Sequence, residues 1–282
     1  INESAFYECE SLISITIPEG VTTICIEAFS GCTNLTSITI PDNITTIKTN
    51  AFARNQLESI TIPDSVTTIG NSAFRDNKIN SISLPQSITM IGASAFNNNQ
   101  LPDDQAFIYK GNVDGSEDRT TIISYGGANR DNVMIPGGVN TIGESAFYNI
   151  NLLHITIPNG VTTIENSAFG SNQLTEIIIP ETVTSLGTSA FSSNRITILD
   201  MPNNVTTIGN SAFQNNQLTE ITIGSGITKL SSGTFRENPI KKVNSNANIT
   251  TSYSATSYPF KDMSVEELVI GNHVTTIPNY MF

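Results

Sequence analysis

The chain has 282 residues, of which 38% are hydrophobic and 13% are charged, and it carries 25 acidic side chains against 13 basic ones. The formal net charge of -12 disfavours nucleic acid and anionic membranes as partners and favours basic protein surfaces, unless the acidity serves only to keep a large surface soluble. No run of about 18 apolar residues is present, so we expect no transmembrane segment in this sequence.

A repeat of 22 or 23 residues fills most of the chain, and one copy reads LESITIPDSVTTIGNSAFRDN at residues 57–77. The phenylalanine of the repeat recurs at Phe6, Phe29, Phe52, Phe74 and Phe96, then at Phe147, Phe169, Phe191, Phe213 and Phe235, and finally at Phe260 and Phe282. A fixed period of this length indicates a solenoid, in which each repeat buries its apolar face against its neighbours. Because the sequence starts and stops within a repeat, we expect it to be a piece of a longer chain.

The first half of each copy predicts a short strand. In residues 57–77, Ile60 and Ile62 alternate with Ser59 and Thr61, a pattern that predicts a strand with buried isoleucines and outward hydroxyls. Pro63 ends this strand because proline has no N–H for a ladder.

The second half of the copy predicts another short extended segment, at residues 66–69, which is followed by Gly70. We expect a positive φ at this glycine because it has no Cβ. Ala73 and Phe74 then carry the chain inward, so stacked copies place one phenylalanine ring above another.

The place three residues after the phenylalanine holds a small or amide-bearing residue. It is Cys9 and Cys32 in the first two copies and asparagine in later ones, namely Asn55, Asn77, Asn99, Asn172, Asn194, Asn216 and Asn238. An asparagine suits a buried turn because its side chain can satisfy backbone groups of the neighbouring repeat. The equivalent places of Cys9 and Cys32 predict Cα atoms about 5 Å apart, within disulfide range, but we favour two small buried thiols.

The regular copies are interrupted once. We expect N-terminal repeats over residues 1–101, an irregular insertion over 102–132 and C-terminal repeats over 133–282, all within one continuous solenoid domain. Residues 105–127 predict a β-hairpin in which Phe107 and Tyr109 face Ile122 and Tyr125 across a polar turn.

This hairpin is the least repetitive and most aromatic element, and departures from a rigid scaffold often bind partners. Phe107, Tyr109 and Tyr125 are therefore candidate partner-binding residues, the alternative being an irregular repeat that only bends the solenoid. The nearby acids Asp114 and Glu117 do not follow the order of a calcium loop, so no metal site is assigned.

The sequence LTSITIPDNITTIKTNAF and its copies resemble the BspA-like leucine-rich repeats, also called the Treponema pallidum type, with the pattern C/N-x-x-L-x-x-I-x-I-P-x-x-V-x-x-I-x-x-x-A-F. The resemblance covers about four-fifths of the chain. It implies a β-rich solenoid, a leucine-rich-repeat right-handed superhelix with short parallel strands, about eleven 22–23-residue repeats and one inserted hairpin. It also implies a surface or secreted protein of a bacterium or protist. Several relatives adhere to host or matrix proteins, and the family has no shared catalytic residues.

The outward positions of the predicted strands form two columns on one sheet. In the N-terminal half these columns hold serine and threonine, a regular pattern that we interpret as structural. In the C-terminal half they hold the acids Glu176, Asp200 and Glu220, with Ile178 and Ile198 between them. We predict that these five residues form a partner-binding patch.

An enzymatic function has little support. Glu176 and Glu220 could approach the separation of a glycosidase carboxylate pair, but the sequence has no tryptophan and no aromatic platform along the columns. His154 and His273 lie far apart in the repeat order, which argues against a Ser-His-Asp arrangement. No catalytic residue and no cofactor is assigned.

The predicted function is therefore a protein-binding module at the cell surface or outside the cell. Its expected partner is a host or extracellular-matrix protein with a basic surface, bound through the sheet face or the hairpin. The alternative is a passive stalk that presents another domain, and a glycan-acting enzyme is a remote third hypothesis.

Overall fold

A computed structural model describes residues 1–110, 118–254 and 258–281 of the chain. Two compact units are present, Ile1–Asn129 and Arg130–Phe282. Each unit is a parallel β-solenoid of repeats of about 22 residues, with about 11 turns in all, and the described residues contain no helix. The predicted fold class is confirmed.

The described residues of the first unit form eight short strands. They are β1 (Thr23–Ile24), β2 (Thr46–Ile47), β3 (Ile60–Thr61), β4 (Thr68–Ile69), β5 (Ile82–Ser83), β6 (Met90–Ile91), β7 (Phe107–Tyr109) and β8 (Thr121–Tyr125). Strands β1, β2, β4 and β6 form one parallel sheet, and β3 pairs in parallel with β5. Strands β7 and β8 form an antiparallel hairpin, as the sequence predicts.

Ten strands lie in the part of the second unit that the structure describes. They are β9 (Val133–Met134), β10 (Thr141–Ile142), β11 (Ile155–Thr156), β12 (Thr163–Ile164), β13 (Ser185–Leu186), β14 (Ile198–Asp200), β15 (Thr207–Ile208), β16 (Glu220–Ile223), β17 (Lys242–Ser245) and β18 (Glu267–Ile270). Within this unit β10, β12, β13 and β15 pair in parallel in that order, as do β14, β16, β17 and β18, and β9 pairs with β11.

Each repeat contributes to two sheets because it contains two extended segments. In the copy at residues 57–77, Ile60 and Ile62 are buried while Ser59 and Thr61 are exposed, which confirms the predicted alternation. Beyond Pro63 the chain turns, and the amide of Val66 donates to the proline carbonyl at 3.0 Å. We call the face that carries Ser59 and Thr61, together with the equivalent positions of other repeats, the first-strand face.

The phenylalanines form a stack of rings inside each unit, which confirms the predicted spine. Ring centroids are 5.0 to 5.4 Å apart from Phe6 to Phe96 in the first unit and 5.1 to 6.2 Å apart from Phe147 to Phe260 in the second. All of these rings except Phe6 are buried. Burial of large aromatic side chains at this regularity gives each repeat a strong apolar contact with the next.

The expected positive φ at Gly70 is wrong. Gly70 does not have a positive φ. Its lack of a side chain instead allows the backbone of the neighbouring repeat to come close, because an added Cβ would lie 2.5 Å from the backbone nitrogen of Thr49. The left-handed conformation falls on Ser72 (φ 54°) and Asp76 (φ 56°), two residues before and two after Phe74.

A hydrogen-bond pattern compensates for these left-handed residues, which cost energy for side chains other than glycine. The amides of Ser72, Phe74 and Asp76 all donate to carbonyls of the next repeat, at 2.8 to 3.0 Å, and those carbonyls belong to Ala93, Ala95 and Asn97. The amides of Ala73 and Arg75 bond within their own repeat instead. Every second backbone amide from Ser72 to Asp76 therefore bonds to the adjacent repeat.

Candidate functional site

The register of strands β14, β16, β17 and β18 confirms the two predicted outward columns in the second unit. One column holds Ile198, Glu220, Lys242 and Glu267 in neighbouring strands, and the other holds Asp200, Thr222, Asn244 and Val269. The first-strand face of this unit is thus chemically mixed, whereas β3 and β5 of the first unit place Thr61 beside Ser83.

Large aliphatic side chains project from this face. The exposed fraction is 85% for Ile178, 72% for Met134 on β9 and 59% for Ile198. Met134 and Ile178 share a column with the polar residues Thr156 and Thr222, so they interrupt a hydroxyl-bearing column, whereas Ile198 lies beside Glu220 in the other column. The contribution of Met134 was not included among the predicted contact residues, although its place in the column was visible in the sequence.

Glu176 and Asp200 are exposed, and the carboxylate of neither has a hydrogen-bond or ion-pair partner within the described part of the chain. Glu220 differs because Lys242 lies beside it, with Nζ 3.2 Å from Oε1, and Asn244 donates to the same oxygen at 3.1 Å. These hydrogen bonds, that from Lys242 first, lower the pKa of Glu220. Glu267 approaches the same ammonium group at 3.7 Å. The negative charge of Glu220 is thus already balanced.

Two grooves meet at Ile178. The larger, of about 500 Å³, is lined by Ile178, Pro180, Asp200, Met201 and Pro202 together with polar neighbours. The smaller, of about 250 Å³, is lined on its other side by His154, Thr156 and Glu176, and it shares Ile178 with the first. Ile178 is therefore a ridge between two grooves, with Glu176 on the wall of the smaller groove and Asp200 and Glu181 on the wall of the larger one.

His154 is exposed on this face. Its Nδ1 lies 2.5 Å from a carboxylate oxygen of Asp131, so the ring orientation is fixed by a neighbour on the surface. Within the described residues, no group of three or more histidine, cysteine or acidic side chains is arranged to hold a metal ion.

The hairpin offers less aromatic surface than the sequence predicts. Phe107 pairs with Tyr125 and Tyr109 with Ile122, as predicted. Tyr125 is 2% exposed and its hydroxyl donates to the carbonyl of Asn129 at 3.0 Å. Its ring packs edge-on against Phe107, with the ring centroids 5.1 Å apart. Because Tyr125 is buried, it cannot contact a partner.

Phe107 and Tyr109 are half-buried, and the guanidinium group of Arg119 lies 5.8 Å from the centre of the Tyr109 ring. Burial raises the pKa of Tyr109. Asp114 and Glu117, near the predicted polar turn, lie outside the described residues. The hairpin is consequently a weaker candidate than the first-strand face of the second unit.

Stacked parallel rungs with an internal phenylalanine column and an asparagine turn define a leucine-rich-repeat solenoid. The chain belongs to the BspA-type leucine-rich repeat family: the model of the BspA type leucine rich repeat region matches it in 6 copies, over residues 1–108, 124–241 and 162–282. Proteins of this family are usually associated with surfaces, and their solenoids generally bind proteins and are typically non-catalytic. The described residues include no helix that is both long and apolar enough to cross a bilayer.

Solved structures of bacterial repeat proteins are similar to this chain. A leucine rich cell surface protein from Faecalibacterium prausnitzii A2-165 is 28% identical, with a TM-score of 0.61 over 90% of this chain and 63% of the other. A leucine-rich repeat protein from Bacteroides ovatus ATCC 8483 is 22% identical, with a TM-score of 0.52 over 97% and 64%. The present chain therefore spans less than two thirds of either.

The pneumococcal vaccine antigen PcpA is also similar, at 21% identity and a TM-score of 0.62 over 93% of this chain and 68% of that one. At these identities the Bacteroides and pneumococcal structures support the fold alone. No curated protein matches the chain.

Proposed function

We propose that this protein is a protein-binding module of a surface or secreted protein, and that Glu176, Ile178, Ile198 and Asp200 form its contact patch. The observation that carries the proposal is the position of Ile178, which is 85% exposed on a ridge between two grooves. Leaving such a side chain in water forfeits the free energy that burial would supply, about 2 kcal/mol for an isoleucine. A partner that covers the ridge recovers it.

The electrostatic character of the patch supports a basic partner. Glu176 and Asp200 each lie in a groove wall without a described partner, while Glu220 is neutralised by Lys242. Unpaired surface carboxylates accelerate the approach of cationic partners, although each contributes little binding free energy by itself. The proposed contact therefore combines an apolar centre with charges at its rim, which is the usual arrangement of a protein interface.

An extracellular or surface location is part of this proposal. It is supported by membership of a family whose proteins are usually surface-associated and by the 28% identity to a bacterial cell surface protein. Adhesion to a host or matrix protein is the form of binding that we propose.

Binding of the purified chain to a panel of basic and extracellular-matrix proteins tests the proposal. Ile178→Thr and Ile198→Ser replace the exposed isoleucines with the residue types found at the same places in the copy at residues 57–77, so they keep the repeat pattern. We expect saturable binding that weakens about tenfold in the double variant. Glu144→Lys, an exposed change in the same unit but outside the patch, is the control and should leave binding unchanged.

A passive spacer is the second candidate function, and one observation favours it. The first-strand face of the first unit exposes a regular series of hydroxyls, such as Ser37, Thr39, Ser59 and Thr61. If the chain binds no protein of the panel, or if the isoleucine variants bind as well as the unchanged chain, the spacer function is the better account.

A further inference from the structure

We infer that Asn159, which precedes Gly160, is a site of spontaneous deamidation, and that this reaction adds a carboxylate to the wall of the larger groove. The two residues form the single asparagine–glycine pair of the 282-residue sequence, and both are exposed. Asn159 lines the larger groove together with Asp200. The modification itself is independent of the proposed function, whereas its effect on binding rests on that function.

The reaction is an attack of one backbone nitrogen on one side-chain carbon. The Gly160 nitrogen loses its proton and bonds to Cγ of Asn159, the bond from Cγ to Nδ2 breaks, and the side-chain amino group leaves with that proton as ammonia. Water then opens the resulting cyclic imide at either carbonyl, which gives aspartate or isoaspartate. Glycine favours the attack because it has no Cβ to crowd the nitrogen.

The turn that holds the two residues is weakly closed. Gly160 has a φ of 113°, in the left-handed region that favours glycine. The amide of Val161 donates to the carbonyl of Pro158 at 3.4 Å, which is longer than the usual range for a bond from N–H to oxygen. This bond therefore offers little resistance to the backbone rotation that brings the Gly160 nitrogen to Cγ of Asn159.

The side chain of Asn159 is able to present Cγ to that nitrogen, because it has no hydrogen-bond partner among the described residues. Asn203 occupies the same place two repeats later, but its side-chain oxygen accepts from the amide and the hydroxyl of Ser225 at 3.0 and 3.1 Å. The side-chain oxygen of Asn166, which precedes a serine, accepts from the amide of Thr188 at 2.9 Å. These bonds hold the side chains of Asn203 and Asn166 in place.

One contact from the next repeat restrains the attacking nitrogen. The amide of Gly160 donates to the hydroxyl oxygen of Thr182 at 3.1 Å, and that hydroxyl donates to the carbonyl of Val161 at 2.7 Å. The nitrogen must leave this hydroxyl before it reaches Cγ of Asn159. The rate of deamidation therefore depends on how often Thr182 releases the turn.

The new carboxylate enters a surface that is already acidic. Glu181 occupies the place of Asn159 in the next repeat and lines the same groove, as does Asp200. The described residues that line this groove include no lysine or arginine. Conversion of Asn159 therefore adds one negative charge to the groove and increases its attraction for a basic partner.

Peptide mass spectrometry of the folded chain, after incubation at mildly alkaline pH, tests the inference. We expect Asn159 to become a mixture of aspartate and isoaspartate, the latter detected by enzymatic methylation. The reaction should be about tenfold faster than at Asn80, an exposed asparagine that is followed by Ser81. Asn203 should stay intact over the same period. Conversion of Asn159 that is no faster than that of Asn80 would overturn the inference.

Variants of the turn assign the reaction to these contacts. Gly160→Ala should slow deamidation of Asn159 about tenfold, because the added methyl group crowds the nitrogen. Thr182→Val should accelerate it about two- to tenfold, the factor that corresponds to an ordinary hydrogen bond. Thr184→Val, at an exposed threonine of the same repeat, is the control and should leave the rate unchanged.

Unfolding curves confirm that each variant is folded, and the Thr182→Val result stands even where Gly160→Ala destabilises the turn. A rate in folded Gly160→Ala equal to that of the unchanged chain would overturn the proposed attack. An unchanged rate in Thr182→Val would overturn the restraint by the next repeat.

Asn159→Asp and Asn159→Gln compare the converted groove with one that does not convert. The aspartate variant should bind a basic protein of the panel about two- to threefold more tightly at low salt, and the difference should shrink at moderate salt. Equal binding by the two variants would overturn the effect of the new charge.

The two proposals fail in different experiments, because deamidation is measured without a partner. An Asn159 that stays intact overturns this inference and leaves the proposed function standing. Deamidation of Asn159 in a chain that binds no panel protein keeps the modification and overturns the proposed function.

Discussion

The side-chain amide of Asn77 donates a hydrogen bond of 2.8 Å to the carbonyl oxygen of Phe52, which belongs to the preceding repeat. The same amide donates to the carbonyl of Phe74 at 3.1 Å, and the side-chain oxygen accepts from the amide of Leu57 at 3.0 Å. A fourth bond, to the carbonyl of Arg75, is 3.3 Å long. One buried side chain therefore satisfies several backbone groups, one of which belongs to the preceding repeat. The pattern recurs at Asn99, Asn172, Asn194, Asn216 and Asn238.

Replacement of Asn77 by alanine should destabilise the protein by about 2–3 kcal/mol, because buried backbone groups lose their partners and each such group costs about 1–3 kcal/mol. The free energy of unfolding from urea titrations measures this. Asn80→Ala is the matched control, since Asn80 is exposed in the same unit, and it should change stability by less than about 0.5 kcal/mol. Equal effects of the two changes would contradict the assigned role of Asn77.

A substitution at Gly209 tests whether the glycine at this place of the repeat is needed for close approach of the neighbouring backbone. It occupies the place of Gly70 in a later repeat, and an added Cβ would lie 2.2 Å from the backbone nitrogen of Thr188. Gly209→Ala should therefore cost about 1–3 kcal/mol through overpacking. Gly137, which has nothing within 4 Å of an added Cβ and no left-handed φ, provides the control.

Gly137→Ala should be neutral or stabilise by up to about 1 kcal/mol, because alanine restricts the unfolded chain. Thermal or urea unfolding of both variants decides the matter. If Gly209→Ala is as well tolerated as Gly137→Ala, the backbone of the neighbouring repeat moves aside and close approach is not the reason for the glycine.

A structural feature could be predicted from the sequence when its residue recurs at the same place of successive repeats. Ring stacking at Phe74, the hydrogen bonds of Asn77 and the outward position of Thr61 were predicted because period and alternation place the same residue type in the same environment many times. The left-handed φ of Ser72 was missed because serine carries no specific signal for it.

The candidate site was harder because its residues depart from the repeat. The exposure of Ile178 followed from its column, but the grooves beside it depend on side-chain shapes that a pattern does not encode. Glu220 and Lys242 occupy consecutive places in one column, so the sequence already contained the information that these residues of adjacent repeats would pair. Tyr125 was placed on the wrong side because a single irregular hairpin offers no repeated positions from which to determine its inward face.

The ion pair between Lys242 and Glu220 predicts a pH dependence with a defined sign. Its hydrogen bonds lower the pKa of Glu220, so the folded state binds a proton at this carboxylate less readily than the unfolded state. The stabilising contribution is therefore present above the unfolded pKa and is lost as pH falls through the folded pKa. Carboxyl NMR titration should show Glu220 titrating below the ordinary range of glutamate.

Lys242→Met should raise the pKa of Glu220 toward its ordinary value, because the first cause of the shift is removed. Lys229→Met, which changes an exposed lysine that has no ion pair among the described residues, should leave the Glu220 titration unchanged. A Glu220 pKa that is the same in the Lys242→Met variant and the unchanged chain would show that Asn244 or another group sets it.

Cys32 and Cys9 occupy equivalent places but should differ sharply in reactivity. Cys32 is buried, its Sγ donates to the carbonyl of Phe6 at 3.1 Å, and burial raises the pKa of its thiol. It thus takes the position of the buried asparagines, as predicted, whereas Cys9 is exposed in the first repeat of this sequence, so the predicted burial is wrong for that residue. The thiolate is the reactive form, so a buried thiol with a raised pKa reacts slowly.

A time course with iodoacetamide at mildly alkaline pH, followed by peptide mass spectrometry, should show Cys9 alkylated first and Cys32 alkylated only after denaturant is added. Cys25, which is half-buried, should react at an intermediate rate. Cys9→Ser should leave the slow modification of Cys32 unchanged, because protection comes from burial and not from its neighbour. Alkylation of Cys32 at the rate of Cys9 would contradict the buried turn, and a native mass lower by two hydrogens with both thiols blocked would indicate that the pair is joined by a disulfide.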